Sequence, residues 1–551
     1  MHRRTFLAGL AGVLGTGPAS AQMKHDMGAM GNMGPMGAGA GPGGPMAPMA
    51  GTAPVLPPGQ PLKELPRLRN RSTRPGRFEA TIAARPGVVR YAEGLDTPVL
   101  LYNGGHPVIE AQEGDRVAIT FQNGIPGQPS TIHWHGMPVP SDQDGNPMNP
   151  VASGAEHGYA FDLPEGSAAT YWFHPHPHGL TAEQVYRGLA GLFLVKPKSD
   201  PIPAAYGDTV LMLTDLRIAA DGTMPPSTMV DLMNGRVGDH VLVNGQSNPV
   251  MTVAPGEKRR LRLVNATNAR YLRLRFAGAR MTLIGTDGGL VEAPVAVDEV
   301  LLTPAERVEL IVSFDQPGPA KLTTLAYERG WMGPGEPKEA GKVLLTANVA
   351  GRPATPPPPL PKMLRAIAPL QAPVVTRRFV LTEDMGSMDH GAMPGMDHSA
   401  MPGMDHGAMP GMDHGAMPGM DHGGTAKGGA AAAKPPGSHD MKFLINNKSF
   451  DMTRIDEVSK VGQVEQWDIV NQSDMDHPFH VHGTQFQIVA YEKDGQVRTP
   501  GYRAWKDTVN VVSGETVRLL LRQDQPGPRM YHCHILEHEE LGMMGVLDVR
   551  S

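Results

Sequence analysis

Short runs of alternating polar and apolar residues occur along most of the chain, and this alternation predicts β-strands with one buried face. One such run occurs three times, at residues 114–123, 256–265 and 462–471. Each copy begins with glycine and ends, after the same interval, with asparagine. Because the copies lie about one domain length apart, they predict three related β-sandwich domains. No long segment outside the N-terminus has helical periodicity, so we expect few and short helices.

Composition divides the chain into regions. Two low-complexity stretches rich in methionine interrupt the alternating pattern, and their glycine and proline content predicts disorder. A proline-rich stretch after residue 350 predicts a stiff linker. The predicted regions are an export signal at 1–21, a disordered tail at 22–60, a first domain at 61–197, a second at 205–350, a linker at 351–375, and a third domain at 376–551 that contains an insert at 385–434.

The first residues have the features of a targeting segment. Arg3 and Arg4 precede a short apolar stretch, and Ala19 and Ala21 have the spacing of a cleavage site. The paired arginines resemble a twin-arginine export signal, with His2 in place of the usual serine or threonine. We therefore expect an exported, periplasmic protein. Beyond this segment no apolar run is long enough to span a bilayer.

The overall composition excludes several classes of protein. The 551 residues carry a net charge of −6 that is spread along the chain, which argues against nucleic-acid binding. A single cysteine excludes a disulfide framework. Three domains in one chain make a monomer the simplest expectation.

The single cysteine, Cys533, lies between His532 and His534, and His538 and Met543 follow closely. A thiolate, two imidazoles and a thioether are the ligand set of an electron-transferring copper. If this segment is extended, the thiol points to one side of the strand and the two flanking imidazoles to the other. One strand could then contact two metal sites and conduct electrons between them, which indicates an oxidase.

Four clusters along the chain contain the motif His-x-His, and residues i and i+2 of a strand project from the same face. The second cluster has an additional histidine, His178, which is expected to lie at the surface or behind the ligands. Two of the pairs lie in the predicted first domain and two in the third, so eight imidazoles could meet between these domains. The second domain has a single histidine, His240, and is predicted to be a spacer. The four pairs are His133 and His135, His174 and His176, His480 and His482, and His532 and His534.

The segments HWHG, HPHPHG, HPFHVHG and HCHILEHEELGM, in this order, resemble the four copper motifs of the multicopper oxidases. The resemblance covers nearly the whole chain apart from the two methionine-rich tracts. It implies an all-β fold of three cupredoxin-like Greek-key β-sandwiches and four copper ions that together reduce dioxygen to water. By motif position it implies type 1 copper ligands His477, Cys533, His538 and Met543, type 2 ligands His133 and His480, and type 3 ligands His135, His174, His176, His482, His532 and His534.

Reduction of dioxygen consumes protons, so acids are expected near such a cluster. Asp144 and Glu539 match the family's acids by position, and their nearby alternatives are Asp142 and Glu540. The alternative for Asp144 and Glu539 is that both are solvated loop carboxylates. Met544, next to the implied axial ligand, is expected to be a packing residue.

The methionine-rich insert repeats the unit MDHGAMPG every eight residues from Met388. Thioethers suit Cu(I), while imidazoles and carboxylates also accept Cu(II). The arrangement resembles bacterial copper-resistance oxidases of the copper efflux oxidase and CopA type, although Ser473 stands where that subgroup has an acid. The candidate ligands for a substrate copper are Met475, Asp474, Met388, His390, Met393, Met396, His398, Met401, Met404, His406, Met409, Met412, His414, Met417, Met420 and His422.

These features favour an exported oxidase that couples the oxidation of Cu(I) to the reduction of dioxygen and so serves copper tolerance. The tracts would hold additional labile copper. One alternative is a laccase-like oxidase of phenols, aromatic amines or other metal ions. Another is a protein that mainly sequesters copper. For the repeats themselves, a neutral linker and a sacrificial site for oxidants also remain open.

Overall fold

The alternating runs form strands throughout the part of the chain that the computed structural model describes, which is residues 53–333, 341–386 and 441–551. The strands build six sheets within these ranges, so the all-β prediction is confirmed. The predicted signal, most of the predicted tail and the MDHGAMPG repeats lie outside the described residues. Helices are few and short there, as predicted: α1 (Thr181–Tyr186), α2 (Met229–Asn234) and α3 (Leu536–Glu540).

The first pair of sheets has the strand orders β2-β1-β4-β6 and β3-β8-β7-β5. Both sheets contribute to one apolar core that surrounds the fully buried Trp134. The strands are β1 (Arg77–Ala92), β2 (Leu95–Tyr102), β3 (Val108–Gln112), β4 (Arg116–Asn123), β5 (His133–His135), β6 (Glu156–Asp162), β7 (Ala169–His174) and β8 (Gly191–Lys196).

The second pair has the strand orders β10-β9-β12-β17-β14-β15 and β11-β19-β18-β13-β16, again around one core. Its strands are β9 (Thr209–Leu216), β10 (His240–Val243), β11 (Val250–Val253), β12 (Glu257–Asn265), β13 (Leu272–Ala277), β14 (Arg280–Thr286), β15 (Gly289–Val297), β16 (Val300–Leu302), β17 (Arg307–Phe314), β18 (Gly318–Leu325) and β19 (Lys342–Val349).

The third pair has the strand orders β21-β20-β23-β28-β25-β26 and β22-β30-β29-β24-β27. Its core contains Trp467 and Cys533, both fully buried. Its strands are β20 (Val375–Asp384), β21 (Lys442–Ile445), β22 (Glu457–Lys460), β23 (Val464–Asn471), β24 (His477–Val481), β25 (Phe486–Lys493), β26 (Gln496–Arg498), β27 (Thr508–Val511), β28 (Thr516–Arg522), β29 (Gly527–Cys533) and β30 (Met544–Arg550). The numerical domain boundaries given above stay a prediction.

The sequence repeat has the same structural role in each pair of sheets. Its strands β4, β12 and β23 each pair in parallel with the first strand of their own pair. The glycine before each strand has a positive φ of 79–88°, which a residue with a side chain rarely adopts. The asparagine at each strand end donates through its amide to two backbone carbonyls and accepts an N–H two residues on, so it fixes the corner that follows. These residues are Gly114, Gly256 and Gly462, and Asn123, Asn265 and Asn471.

Buried charges join the first and second pairs of sheets. The Glu309 carboxylate on β17 accepts from the Arg262 guanidinium at 2.6 Å and from the Thr170 hydroxyl on β7 at 2.8 Å. Arg260 binds its other oxygen at 2.5 Å. Burial alone would raise the pKa of Glu309, but the two guanidiniums hold it below its ordinary value. The carboxylate therefore stays charged and compensates two buried cations.

We expect Glu309→Gln to lower the free energy of unfolding by about 1.5–3 kcal/mol, because it removes the charged hydrogen bonds that Glu309 makes to two buried guanidiniums. Arg260 keeps Asp200 and Arg262 keeps Asp208 as acidic partners. Urea titration of the copper-free chain measures this free energy.

The matched control is Glu165→Gln, which removes an exposed carboxylate paired with Lys198 and should change stability by less than about 1 kcal/mol. Equal changes in the free energy of unfolding for the two substitutions would show that the buried ion pairs of Glu309 do not stabilise the fold more than an exposed ion pair does.

Candidate metal centre

Strand β29 carries two kinds of metal-binding side chain on its opposite faces. It pairs with β24 so that His532 lies opposite His480 and Cys533 lies opposite Phe479. The Cys533 sulfur is 3.3 Å from Nδ1 of His477, whereas Nε2 of His532 is 3.0 Å from Nε2 of His482. The predicted alternation is therefore present, and adjacent residues face two separate clusters.

The first cluster consists of His477, Cys533 and His538. The Nδ1 atoms of the two imidazoles are 3.4 Å apart, and all three side chains are fully buried. Short helix α3, which follows β29 directly, turns His538 back toward the thiol. Met543 is buried in the same core. Two imidazole nitrogens, one sulfur and a neighbouring thioether form a donor set that suits copper.

Hydrogen bonds orient both imidazoles of this cluster. Nε2 of His477 donates to the Ser473 hydroxyl at 2.7 Å, and Nε2 of His538 donates to the Met233 carbonyl at 3.0 Å. Each bond fixes the proton on Nε2 and leaves the Nδ1 lone pair directed toward the sulfur. Met233 belongs to α2, so the second pair of sheets covers one edge of the cluster.

Burial sets the protonation of this cluster. It lowers the pKa of His477 to about 3, with a further contribution from the Arg329 charge, and it raises the pKa of Cys533 well above its ordinary value. The side chains are therefore two neutral imidazoles and a thiol in the absence of a cation. A bound metal ion reverses this preference for the thiol, because its charge stabilises the thiolate.

The second cluster contains the eight histidines of the four His-x-His pairs, all of them fully buried. The rings meet across the first and third pairs of sheets, as predicted. Those of His133 and His482 stack at 3.8 Å between centroids, and those of His135 and His480 at 3.7 Å. The ligand atoms of this cluster fall into several groups, each confined within 4.8 Å. The arrangement places many imidazole nitrogens around one small volume.

Three of these histidines use one ring nitrogen for a hydrogen bond and leave the other nitrogen available to bind a metal. Nδ1 of His133 donates to the Asp144 carbonyl at 2.9 Å, Nδ1 of His174 to the Pro175 carbonyl at 2.9 Å, and Nδ1 of His480 to the Asp507 carbonyl at 2.8 Å. The Nε2 atom of each of these three rings is buried and has no hydrogen-bond partner. Buried nitrogen lone pairs without partners, on rings held by their other nitrogen, are the arrangement of metal ligands.

The two predicted acids lie within this second cluster. A carboxylate oxygen of Asp144 is 2.7 Å from Nδ1 of His482. The Glu539 carboxylate is 3.5 Å from Nδ1 of His176 and 3.2 Å from Nδ1 of His532. Burial raises the pKa of both acids. Of the alternatives, Asp142 is exposed, and Glu540 accepts a backbone hydrogen bond from Ala182.

The sequence analysis missed Asp507, a third acid of this cluster. Its carboxylate is 3.1 Å from Nε2 of His135 and binds the Arg307 guanidinium through both oxygens, at 2.7 and 2.5 Å. All three side chains are fully buried. Arg307 begins β17, so the second pair of sheets supplies a residue next to the histidines. The second pair of sheets thus fixes an acid next to the histidines, a contribution that the prediction of a spacer did not include.

A further acid, Glu383, lies beside the first cluster. It is half-buried near the end of β20, and its carboxylate accepts the Asp474 N–H at 2.9 Å. The Ser473 hydroxyl and this N–H act to lower the pKa of Glu383, but burial outweighs them and raises it. Its Oε2 atom is buried and has no hydrogen-bond partner. No motif marks Glu383 in the sequence, so only the fold could identify it.

The remaining predicted residues have distinct positions. Met475 is fully buried in the core that contains Cys533, whereas the Asp474 side chain is exposed. Met544 packs with Met530 in a separate apolar cluster, in agreement with the packing role predicted for it. The other candidate substrate ligands, from Met388 to His422, lie outside the described residues.

Comparison with known proteins agrees with this site. Sequence models of the multicopper oxidase family match residues 84–200, 208–329 and 425–551. The solved structure of a multicopper oxidase from Campylobacter jejuni, a metallo-oxidase, is 39% identical, with a TM-score of 0.78 over 90% of this chain and 96% of that one. The multicopper oxidase mco of Staphylococcus epidermidis is 29% identical over 86% of this chain and 88% of its own length.

A third relative is the solved laccase-like multicopper oxidase CueO from Ochrobactrum sp., which acts on lignin model compounds and lignosulfonate. It is 27% identical, with a TM-score of 0.69 over 89% of this chain and all of that one. These likenesses confirm the cupredoxin-like fold and an oxidoreductase that uses copper. Together with the matched sequence models, which cover more than half of its length, they show that the chain belongs to the multicopper oxidase family.

Proposed function

We propose that this multicopper oxidase oxidises Cu(I) to Cu(II), reduces dioxygen to water and so serves copper tolerance. The observation that carries the proposal is the pair of neighbouring residues Cys533 and His532, which contact two different clusters of metal-binding side chains. A single peptide unit thus links a site suited to accept one electron with a site lined by eight imidazoles. That is the arrangement needed to collect electrons singly and deliver them to dioxygen.

We assign the copper ligands as the family resemblance implies. The converging Nδ1 and sulfur atoms support the type 1 set, and the unpartnered Nε2 atoms support the histidine cluster. Type 1 copper would be held by His477, Cys533, His538 and Met543, type 2 copper by His133 and His480, and the type 3 pair by His135, His174, His176, His482, His532 and His534.

Bound copper would supply one-electron redox chemistry at Cys533 and four-electron reduction of dioxygen among the histidines. The protein contributes orientation and protons. The Glu539 carboxyl lies beside His176 and His532, and burial together with the Glu540 charge raises its pKa, so it can hold a proton there. Asp144 lies beside His482 on the other side. Asp507 orients His135 and is itself fixed by Arg307.

The surroundings of the first cluster favour Cu(I) as the reductant. Glu383, with a buried and unpartnered oxygen, adjoins Ser473, whose hydroxyl accepts from the His477 imidazole. Met475 and Met385 pack in or against the same core. Thioethers with a carboxylate suit copper in both of its oxidation states. We therefore assign Glu383, rather than Asp474, as the acid that receives substrate copper.

Phenol oxidation is the second candidate, and the Ochrobactrum relative's action on lignin model compounds favours it. Against it, His477 and His538 are both fully buried by the described residues. An aromatic molecule cannot contact either imidazole there. A third candidate, copper sequestration, differs from both because it predicts copper binding without oxygen uptake.

Export through the N-terminal signal and copper collection by the repeats belong to the same proposal, and the sequence supports both. Within the part of the chain that the structure describes, no helix is long and apolar enough to cross a membrane. A periplasmic location would place the enzyme where incoming copper is first met.

Cys533→Ser tests the proposed copper sites. We expect the variant to bind one copper ion fewer per chain and to lose its intense blue absorption, because a hydroxyl does not replace a thiolate as a soft ligand. Oxygen uptake with Cu(I) should fall to background. Metal analysis and visible spectroscopy measure the change, with wild-type protein loaded in parallel. Unchanged absorption would contradict the assignment of Cys533.

Glu383→Gln tests the assigned substrate acid. We expect the KM for Cu(I) to rise by about 10-fold or more, because a neutral amide replaces a carboxylate beside the entering cation. Oxygen uptake under controlled Cu(I) chelation measures this. Asp474→Asn is the matched control, since it removes the charge of the exposed neighbouring acid. A larger rise in the KM for Cu(I) in Asp474→Asn would indicate that Asp474, and not Glu383, is the acid that receives substrate copper.

Deletion of the repeats tests the proposed delivery of copper. We expect a variant without residues 388–423 to oxidise Cu(I) more slowly at low copper concentration but to oxidise a phenol at least as fast as the full chain. The physical reason is that soft thioether and imidazole ligands raise the local copper concentration. Parallel oxygen-uptake assays measure both rates. Equal Cu(I) oxidation by the two proteins would show that the repeats do not deliver copper.

A further inference from the structure

A loop of the second pair of sheets packs against the type 1 cluster. It follows β18 at residues 328–332, and we call it the Arg329 loop. The Arg329 carbonyl accepts the N–H of Asp476, which directly precedes His477, at 2.7 Å. Gly330 has a φ of 82° and lies so close to the two residues before Asp476 that a side chain there would collide with them. The loop therefore lies directly on the residues that lead into one type 1 ligand.

The same loop binds helix α2, which supports the other type 1 imidazole. The side-chain amide of Asn234, the last residue of α2, accepts the Met332 N–H at 2.7 Å and donates to the Met332 carbonyl at 2.9 Å. The Arg329 guanidinium donates to the backbone carbonyl of Asn234. The preceding carbonyl of α2, that of Met233, accepts from Nε2 of His538 at 3.0 Å. The guanidinium and this imidazole therefore bind neighbouring carbonyls of one helix.

The charge of Arg329 has no bound counter-ion in the part of the chain that the structure describes. The side chain is nine-tenths buried, and its Nη1 atom is buried without a hydrogen-bond partner. The Tyr271 ring face, 5.5 Å from the guanidinium carbon, is a weaker partner than a carboxylate. By contrast, the buried guanidiniums of Arg260 and Arg307 each bind a carboxylate. Because a buried cation without a counter-ion is costly, the presence of this one calls for an explanation.

Two buried acids adjoin this region, but other groups hold them. The Asp476 carboxylate accepts from the Asn510 amide at 2.9 Å. The Glu537 carboxylate accepts from the Asn268 amide at 2.8 Å. Neither acid binds the guanidinium of Arg329, so its positive charge is not neutralised by an ion pair.

A fixed charge at this position changes the balance between the two oxidation states of copper. A charge in the protein interior acts over several ångströms, because little solvent screens it. Cu(II) carries one more positive charge than Cu(I) on the same ligands, so a fixed cation favours Cu(I). The imidazoles respond in the same direction, since burial lowers the pKa of His477 and His538 and the Arg329 charge lowers both further.

We propose that Arg329 is a positioning residue of the type 1 site and that its charge raises the reduction potential of copper held by Cys533, His477 and His538. The guanidinium acts through its field, from the helix carbonyl next to the one that holds His538, and does not bind the metal. A higher potential makes the site a better acceptor of the single electron that substrate Cu(I) loses on becoming Cu(II). This inference rests on the proposed function, because it concerns copper bound at Cys533.

An anaerobic redox titration of the blue absorption of the copper-loaded chain measures this potential. We expect Arg329→Gln and Arg329→Met, which remove the charge, to shift the ratio of Cu(II) to Cu(I) toward Cu(II) by at least about tenfold, equivalent to a potential about 59 mV lower. Arg329→Lys keeps the charge and should stay close to the parent potential. The matched control is Arg280→Met, which removes an exposed cation paired with Asp315 and should have no effect.

Asn234→Ala separates the effect of the charge from that of packing. It removes both side-chain hydrogen bonds to Met332 but leaves the Arg329 charge in place, so we expect a potential close to the parent value. An unchanged potential in the two neutral variants of Arg329, or an equal fall in Arg329→Lys or Asn234→Ala, would overturn the inference. Loss of the blue absorption in both neutral variants would also overturn it, because Arg329 would then be needed to form the site.

The parent chain distinguishes this inference from the proposed function. A copper-loaded parent chain that shows no blue absorption, or that takes up no oxygen with Cu(I), would refute the proposed function. A parent chain that passes both tests, together with neutral variants of unchanged potential, would refute the role of Arg329 alone.

Discussion

The structure depends on one geometric constraint, which is that neighbouring residues of a strand point to opposite faces. In β29 this constraint gives Cys533 and His532 to different clusters while a single peptide unit joins them. Every other part of the site completes one of these faces. Strand β24 contributes to both, because His477 meets the thiol and His480 meets the other histidines, as does His482 directly after the strand. The short distance between the clusters is thus a property of the extended backbone rather than of particular side-chain contacts.

Much of this could be predicted from the sequence because the determining signals are local. Strand alternation and the repeated interval from glycine to asparagine depend on residues a few positions apart. The corners after Asn123, Asn265 and Asn471 confirm that the repeat has one physical cause, the pairing of an asparagine amide with two carbonyls. The His-x-His pairs were equally visible, since a two-residue spacing on a strand places both rings on one face.

The residues that the sequence analysis missed have no local signal, because their partners are distant in sequence. Asp507 meets His135, which is 372 positions away, and Arg307 meets Asp507 across 200 positions. Glu383 reaches the Asp474 backbone across 91 positions. Carboxylates and guanidiniums are common in loops and strands, so no local pattern distinguishes these from ordinary surface charges. Their roles come from the way in which the pairs of sheets meet, and the second pair therefore contributes far more than its single histidine suggests.

The burial of Cys533 determines how its thiol reacts in the metal-free protein. A thiol with a raised pKa remains protonated, and the thiolate is the form that attacks disulfides and reacts with oxidants. Complete enclosure also keeps small oxidants and other thiols away from the sulfur. The folded, metal-free chain is therefore protected from covalent modification of the Cys533 sulfur, which would prevent this residue from binding copper. Such a chain can persist in an oxidising compartment until copper arrives, and the arriving ion itself converts the inert thiol into the ligand it needs.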